Sequence, residues 1–157
     1  MKLLVIFSML FIGLQVFAQE NAPTKMDSLV AIAKAQLGVP YKWATSNPNV
    51  SFDCSGFTHY VYKSIGIKSS RSSKVYGSMG SRVSLEECQV GDCILFSGTQ
   101  PGSRTIGHVG IVIEKNAKRM KFIHCSSSKK HFGVSITDYY NSNYTKRFLQ
   151  VRRLQTF

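Results

Sequence analysis

The hydrophobic period of this 157-residue chain changes once, and that change limits the possible folds more than any other feature. Apolar residues recur every three or four positions over 26–37 and again over 57–65, which predicts two helices. A glycine follows each pattern, Gly38 and Gly66, and glycine is common just beyond a helix end. A further short helix is predicted over 72–79.

Short apolar runs separated by turn residues follow after Cys88, which is the pattern of strands. The predicted strands are residues 93–97, 108–114, 121–126, 134–137 and 147–153. Helices followed by a run of strands indicate the α+β class. We therefore expect N-terminal helices packed on an antiparallel sheet of five to six strands.

The first residues have the layout of a secretory signal peptide. Lys2 precedes an apolar run, and Val16-Phe17-Ala18 carries small residues at the two positions that a signal peptidase reads. We expect cleavage after Ala18, so that residues 1–18 are a signal peptide, 19–25 a short leader and 26–157 a single domain. The expected location is bacterial and exported, either periplasmic or extracellular.

A membrane anchor is the alternative interpretation of the same N-terminus. Gly13 and Gln15 interrupt the apolar run, which falls short of the ~20 apolar residues that a spanning helix needs. We therefore expect no stable membrane anchor.

The chain is strongly basic, with 20 Lys and Arg against 8 Asp and Glu, a net charge of +12. The basic residues are scattered along the sequence and form no nucleic-acid-binding motif, so nucleic acid is not an expected partner. Two interpretations remain open. The charges are either ordinary solvated side chains or an attraction to an anionic polymer of the cell envelope.

Four cysteines are present, and no two have the C-x-x-C spacing of a metal or redox motif. Cys93 and Cys125 lie in predicted strands and are expected to be small buried side chains. A disulfide among Cys88, Cys93 and Cys125 stays open, because an oxidising compartment would permit it. We expect no cofactor and a monomer.

Cys54 differs from the other cysteines because it stands at the start of the second predicted helix. Unpaired backbone N–H groups and the positive end of the helix dipole stabilise a thiolate there. Such a site can lower a cysteine pKa from ~8.5 into the range of roughly 3.5–7.5. The alternative is a packed, inert thiol.

A thiolate that attacks a carbonyl needs a proton carrier, and histidine suits that task. His108 opens one predicted strand and His124 lies in the next, eight residues on either side of Asn116. If the two strands form a hairpin about Asn116, the histidines lie directly opposite each other and can form a hydrogen bond, with His108 facing Cys54. His59 points away from Cys54 along its helix.

His131 lies in a polar loop rich in Lys and Ser and is expected to be solvated. Neither it nor His59 is therefore a candidate for catalysis.

An ordered set of motifs between Met26 and Val151 resembles the NlpC family of papain-like bacterial cell-wall cysteine peptidases. The motifs are PYKW at 40–43, DCSGF at 53–57, RSS at 71–73, VGD at 90–92, GHVGIVI at 107–113 and FIHCSSS at 122–128. The order of the set makes the resemblance specific, whereas DCSG alone would be only suggestive. The resemblance implies the papain-like form of the α+β fold.

The resemblance also implies an activity: hydrolysis of amide bonds in peptidoglycan stem peptides, typically the bond from γ-D-glutamate to a diamino acid. By position, Cys54 matches the family's nucleophile, His108 its general base and His124 the polar residue that orients the base. Stem peptides or muropeptide fragments are the implied substrates.

Four further residues match substrate-site positions of the family. Tyr41 matches a tyrosine that lines the site and helps to stabilise the oxyanion. Asp53 and Ser55 match residues that bind a free N-terminal L-alanine in some relatives, and Ser73 matches a serine of the same subsite. From the residues alone, Asp53 is equally a helix N-cap, and Tyr41 and Ser73 are equally packing or capping residues.

The chain departs from the family pattern at two places. Ala44-Thr45 stands where glycines are usual after the tryptophan, in a loop that is expected to border the substrate groove. Cys125 stands where a small residue such as alanine is usual.

Three other functions remain open. An N-acetylmuramoyl-L-alanine amidase or a wall-directed toxin would share the fold, and a non-catalytic wall-binding protein would not need Cys54, His108 and His124 together. A zinc site built from these three and Cys125 is disfavoured, because His124 and Cys125 are neighbours on a strand and point to opposite faces.

Overall fold

The computed structural model describes residues 22–100 and 102–154, apart from the side chain of Lys130. The predicted signal peptide, residues 1–18, and the first part of the predicted leader lie outside the described residues. No helix within the described residues has both the length and the apolar character needed to cross a bilayer.

Within the described part of the chain, two α-helices precede the main sheet. α1 spans Lys25–Lys34 and α2 spans Cys54–Ser64. α1 begins with a capping box, in which the Asp27 amide donates to Thr24 Oγ1 at 3.1 Å and the Thr24 amide donates to the Asp27 carboxylate at 3.0 Å. The predicted helix over 72–79 is only a 3₁₀ turn, Val75–Ser78.

The described residues form eight strands, which follow the helices or lie between them. A small hairpin, β1 and β2, lies in the loop before α2, and β3 to β8 form a six-stranded antiparallel sheet in the order β3-β8-β4-β5-β6-β7 within the described residues. The bounds are Ser46–Asn47 for β1, Ser51–Phe52 for β2, Ser81–Val83 for β3, Cys93–Ser97 for β4, Ile106–Lys115 for β5, Met120–Ser126 for β6, Gly133–Asp138 for β7 and Phe148–Arg153 for β8. The predicted α+β class with an antiparallel sheet is confirmed, and β3 was not predicted.

The sheet has an apolar layer on each face, because apolar side chains alternate in direction along each strand. On one face Leu95, Ile111 and Ile123 pack against both helices. On the other face Phe96 and Phe122 pack against residues of the segments that join the strands, including Cys88, Tyr139 and Tyr144. The helices therefore cover only one face, and the second core depends on irregular segments.

The hairpin of β5 and β6 departs from its predicted register. The turn closes with the Asn116 amide donating to the Arg119 carbonyl, and a bulge lies between Val112 and Glu114. Ile111 pairs with Ile123, so the residue opposite His124 is Gly110 and not His108. The prediction of directly opposed histidines was wrong, because Lys115 pairs with Met120, which centres the turn between Ala117 and Lys118 and not at Asn116. The bulge offsets only one residue of that difference.

The loop before α2 approaches the helix closely, and it contains one residue with an unusual backbone conformation. A Cβ added at Gly56 would lie 2.0 Å from the Thr45 carbonyl oxygen, so only glycine permits this approach. Ala44 has φ of 60°, the left-handed region that favours glycine, at the position where the resembling family often has glycine. The chain tolerates an alanine there at a conformational cost.

Replacing Ala44 with glycine should therefore raise the free energy of unfolding by up to about 1 kcal/mol, because it removes the left-handed strain of an L-residue. Ala31, exposed in the interior of α1, is the matched control. Ala31→Gly should lower stability by about 1 kcal/mol. Urea unfolding of both variants measures the difference, and a loss of stability in Ala44→Gly would contradict the strain at Ala44.

Candidate active site

Cys54 is the first residue of α2, and Asp53 is the N-cap that sets its position. The Asp53 carboxylate accepts the Gly56 amide at 2.6 Å, which fixes the first turn of the helix. The Cys54 side chain is almost buried against the sheet, with 9% of its surface exposed. The thiol therefore lies where helix and sheet meet.

Burial raises the pKa of Cys54 to about 11, and the negative charge of Asp53 adds to the rise. Backbone N–H groups of Val109, Ser55 and Cys54 itself act in the opposite direction. The predicted effect of the helix start is thus present, but the expected low pKa is wrong for the free protein, because burial and the neighbouring carboxylate outweigh it. The free site holds a neutral thiol.

The two strand histidines form a buried pair. His108 Nε2 lies 2.8 Å from His124 Nδ1, and His124 Nε2 lies 2.9 Å from the Thr137 hydroxyl. The hydrogen bond between the imidazoles was predicted, although it runs diagonally between the strands. Thr137 on β7 completes a chain of three side chains, in which His124 orients the His108 ring.

Gly110 lets β6 pack closely against β5 next to the histidine pair. It stands opposite His124, and a Cβ at this position would lie 2.7 Å from the Phe122 ring and 3.3 Å from the His124 Cβ. The missing side chain leaves room for the Phe122 ring and for the His124 Cβ against β5. A glycine inside a strand pattern can signal such a close approach, so the feature was available in the sequence.

Both imidazoles are neutral. Burial lowers the pKa of His108 to about 3, and the positive charge of Arg147 adds to the effect. Burial also lowers the pKa of His124 well below its usual value, and His108 contributes next. Among the described residues, neither ring has a hydrogen bond to a carboxylate that would favour its charged form.

The thiol lies close to β5, the strand that carries His108. The Val109 N–H acts on the Cys54 sulfur, and Val109 directly follows His108. Among the described residues, no hydrogen bond joins the sulfur to either imidazole. His108 uses Nε2 for its hydrogen bond to His124, so Nδ1 of His108 is the nitrogen that can accept a proton.

Tyr144 and Arg147, which were not predicted as site residues, lie next to the histidine pair. The Tyr144 ring stacks on His108 with centroids 5.6 Å apart and meets His124 edge-on at 5.2 Å. The guanidinium of Arg147 lies 5.1 Å from the centre of the Tyr144 ring. Both belong to a 3₁₀ turn, Asn143–Arg147, whose irregular sequence pattern gave no periodic signal.

The four predicted substrate residues are placed differently. Tyr41 lies near the thiol: burial raises its pKa to about 12, and Cys54 is the next cause. Ser55 Oγ lies 2.8 Å from the Arg71 carbonyl oxygen and 3.1 Å from Asp53. Ser73 is half-buried, and within the described residues no hydrogen bond ties it to the others.

The Asp53 carboxylate also has an ion pair, which was not predicted. Arg71 Nη2 lies 3.5 Å from Asp53 Oδ2. Asp53 is 6% exposed, so its capping role is established by geometry. A contact with a substrate ammonium stays a prediction.

The other cysteines and histidines form no second site. All four cysteines are free and buried, and Cys125 Sγ lies 3.2 Å from the Phe52 carbonyl oxygen. His59 Nδ1 forms a hydrogen bond with Ser69 Oγ at 3.0 Å, and His131 is exposed. Across residues 22–100 and 102–154, no group of three His, Cys, Asp or Glu side chains is arranged to hold a metal ion.

Comparison with known proteins agrees with this geometry. The sequence profile of the NlpC/P60 family matches residues 38–153. A gamma-D-glutamyl-L-lysine dipeptidyl-peptidase of Bacillus cereus is 41% identical over 97 residues, which are 61% of this chain and 28% of that protein. The probable peptidoglycan endopeptidase LytE of Bacillus subtilis is 35% identical over 131 residues, 82% of this chain and 34% of its own length.

Solved structures give the same result for the fold. An NlpC/P60 family protein from Bacillus cereus superposes with a TM-score of 0.72 at 33% identity, covering 82% of this chain and 40% of that one. The fold is the papain-like α+β fold that was predicted. The chain spans only about a third of the curated relatives that it matches.

The Asp53 charge should control the ionisation of Cys54. Asp53→Asn keeps an amide oxygen for the helix cap but removes the charge, so the pKa of Cys54 should fall below about 11. The measurement is the rate of iodoacetamide labelling of Cys54 against pH, with Cys54→Ala as background. Asp27→Asn removes an exposed carboxylate from α1 and should leave the curve unchanged. An unshifted curve in Asp53→Asn would contradict the assigned cause.

The buried neutral histidines should make the fold sensitive to acid. Because the pKa of His108 is lower in the folded than in the unfolded state, the unfolded state binds more protons between pH 6.5 and about 3. Stability is then complete above pH 6.5 and falls with decreasing pH, by up to about 1.4 kcal/mol per pH unit for each histidine. Urea midpoints at pH 7 and pH 5 should differ less in His108→Gln than in wild type. Equal differences would refute the buried neutral ring.

Proposed function

We propose that this chain, which belongs to the NlpC/P60 family, is a cysteine peptidase that hydrolyses amide bonds in peptidoglycan stem peptides. The observation that carries the proposal is the hydrogen-bonded pair of His108 and His124 beside a cysteine at a helix start. Structural packing alone does not require two buried imidazoles and a thiol at one place. The names of the relatives, a dipeptidyl-peptidase and a peptidoglycan endopeptidase, support the same reaction class.

Catalysis begins from neutral partners. His108 takes the Cys54 proton as the sulfur attacks the amide carbonyl carbon, so that imidazolium and tetrahedral oxyanion form together. Backbone N–H groups at the start of α2, including that of Ser55, and the Tyr41 hydroxyl are suited to stabilise the oxyanion. The C–N bond then breaks, and His108 returns its proton to the leaving amine.

The second half of the reaction restores the enzyme. The acyl group remains on the sulfur as a thioester, and water attacks it while His108 takes the water proton. The carboxylic acid leaves and the Cys54 sulfur regains its proton. His124, held by Thr137, keeps the His108 ring in one orientation throughout.

The bond we propose is the one from γ-D-glutamate to a diamino acid. The name of the Bacillus cereus relative includes a γ-D-glutamyl-L-lysine unit, and lysine is a diamino acid. Asp53 supports a substrate with a free amino terminus, because a buried carboxylate next to the nucleophile attracts an ammonium. Arg71 would then share Asp53 with that ammonium.

We also propose that the protein acts outside the cytoplasm. The support is the signal-peptide pattern of residues 1–18, together with a substrate that lies in the cell envelope.

Digestion of defined muropeptides tests the activity. Wild type should release fragments that end in D-glutamate, and Cys54→Ala should cleave at less than about a thousandth of the wild-type rate. Cys88→Ala removes a thiol from the opposite apolar layer and should retain activity. Product masses distinguish the alternatives, since an amidase would free intact stem peptides from glycan. Equal cleavage by wild type and Cys54→Ala would rule out the proposed mechanism.

A further inference from the structure

We propose that a polar cleft beyond the histidine pair, which we call the Arg147 cleft, binds the leaving-amine half of the substrate through a carboxylate held by Arg147. The cleft has a volume of about 560 Å³, within the ordinary range of small-ligand sites. Its lining includes His124, Tyr144 and Arg147. The inference deepens the proposed peptidase function and rests on it.

The position of the cleft matches the departing half of the substrate. Asp53 caps the start of α2, Tyr41 lies near Cys54, and neither of these residues assigned to the acyl half lines the cleft. The cleft is lined in part by His124, the partner of the imidazole that protonates the leaving amine. Because that imidazole must contact the amine nitrogen, the rest of the leaving residue extends from the histidine pair into the space beside it.

Tyr144 connects the reaction centre to the cleft. Its ring stacks on His108 and also forms part of the cleft wall. Burial raises the pKa of Tyr144, Arg147 opposes the rise, and a negative charge on Cys54 would add to it. The same ring therefore lies near the nucleophile, the base and the guanidinium.

The guanidinium of Arg147 is held in a fixed position, and among the described residues it has no acidic partner. Its Nε and Nη2 donate to the Ser97 carbonyl oxygen at 3.2 and 2.6 Å, which holds the plane of the guanidinium. Among the described residues, no carboxylate lies within ion-pair distance of it, whereas Arg71 and Arg153 each pair with an aspartate. A guanidinium has five N–H donors, so donors remain for a ligand.

The remaining lining favours an anion that also carries amide groups. Among the residues that the structure describes, no Asp or Glu lines the cleft, and the polar side chains there include Ser128, Thr137, Asn141 and Asn143. Asp138, next to Thr137, has its carboxylate bound by the Asn141 side chain at 3.0 Å. A carboxylate on the leaving amino acid meets a positive charge and neutral hydrogen-bond partners, with no repelling charge in the wall.

A pair of substrates that differ only in the leaving half tests the proposal. Both are γ-D-glutamyl dipeptides of the same diamino acid, one with a free carboxylate on that residue and one with a carboxamide. Wild type should prefer the carboxylate by at least about tenfold in kcat/KM, the size expected of a charge-assisted hydrogen bond. Arg147→Gln should reduce this preference to about one, chiefly through KM for the carboxylate substrate.

Arg152→Gln is the matched control. Arg152 also donates to backbone carbonyls, those of Met79 and Gly80 at 2.7 Å, but it does not line the cleft. The control should retain the wild-type preference. Arg147→Lys keeps the charge and should retain part of the preference, which tests the proposal if the glutamine variant does not fold.

The outcomes separate this inference from the proposed function. Cleavage of both substrates by wild type without a preference, or a preference that survives in Arg147→Gln, would overturn the carboxylate site and leave the peptidase intact. If wild type cleaves neither of the two substrates and no muropeptide, the proposed peptidase activity is wrong, and this inference fails with it.

Discussion

The hydrogen bond from the Gly56 amide to the Asp53 carboxylate, 2.6 Å long, determines where α2 begins. Everything at the thiol depends on that start, because Cys54 is the next residue after the cap. The same carboxylate bonds the Ser55 hydroxyl and pairs with Arg71. One side chain therefore caps the helix, joins it to the segment that follows and sets the electrostatic potential at the sulfur.

That arrangement gives a site which is neutral until substrate arrives. Burial and Asp53 oppose a thiolate, and burial and Arg147 oppose an imidazolium, so each partner alone resists its charge. In the proposed mechanism the two charges become favourable only together, when the proton passes from sulfur to imidazole and the oxyanion meets the N–H groups at the helix start. A substrate ammonium at Asp53 would also remove the charge that raises the thiol pKa. Such a thiol is protected from side reactions in the free protein, because a buried, protonated sulfur is a poor nucleophile.

The sequence predicted the parts of this structure that depend on local pattern. Periodicity located α2 and the central strands, and the positions of His108 and His124 on adjacent strands predicted their contact. It did not predict features that arise from packing between distant segments. The bulge after Val112 changes the register, and the pKa of Cys54 reflects the sheet that covers it more than the helix that carries it. Tyr144 was missed because its segment has no period, although an aromatic three residues before an arginine is a combination that favours stacking.

The charges on the two sides of the histidine pair are opposite, and in the function proposed above this difference would define a direction for the substrate. Asp53 lies beside the nucleophile, and Arg147 lies beyond the imidazoles. A peptide with an ammonium at its amino end and a carboxylate on its leaving residue fits in one orientation, since reversal would bring like charges together at both ends. Attraction at both ends also restricts the length between the two charges, because a longer or shorter peptide would satisfy only one. If both proposals above hold, selection of short stem fragments over other amides would follow from one carboxylate and one guanidinium on opposite sides of the histidine pair.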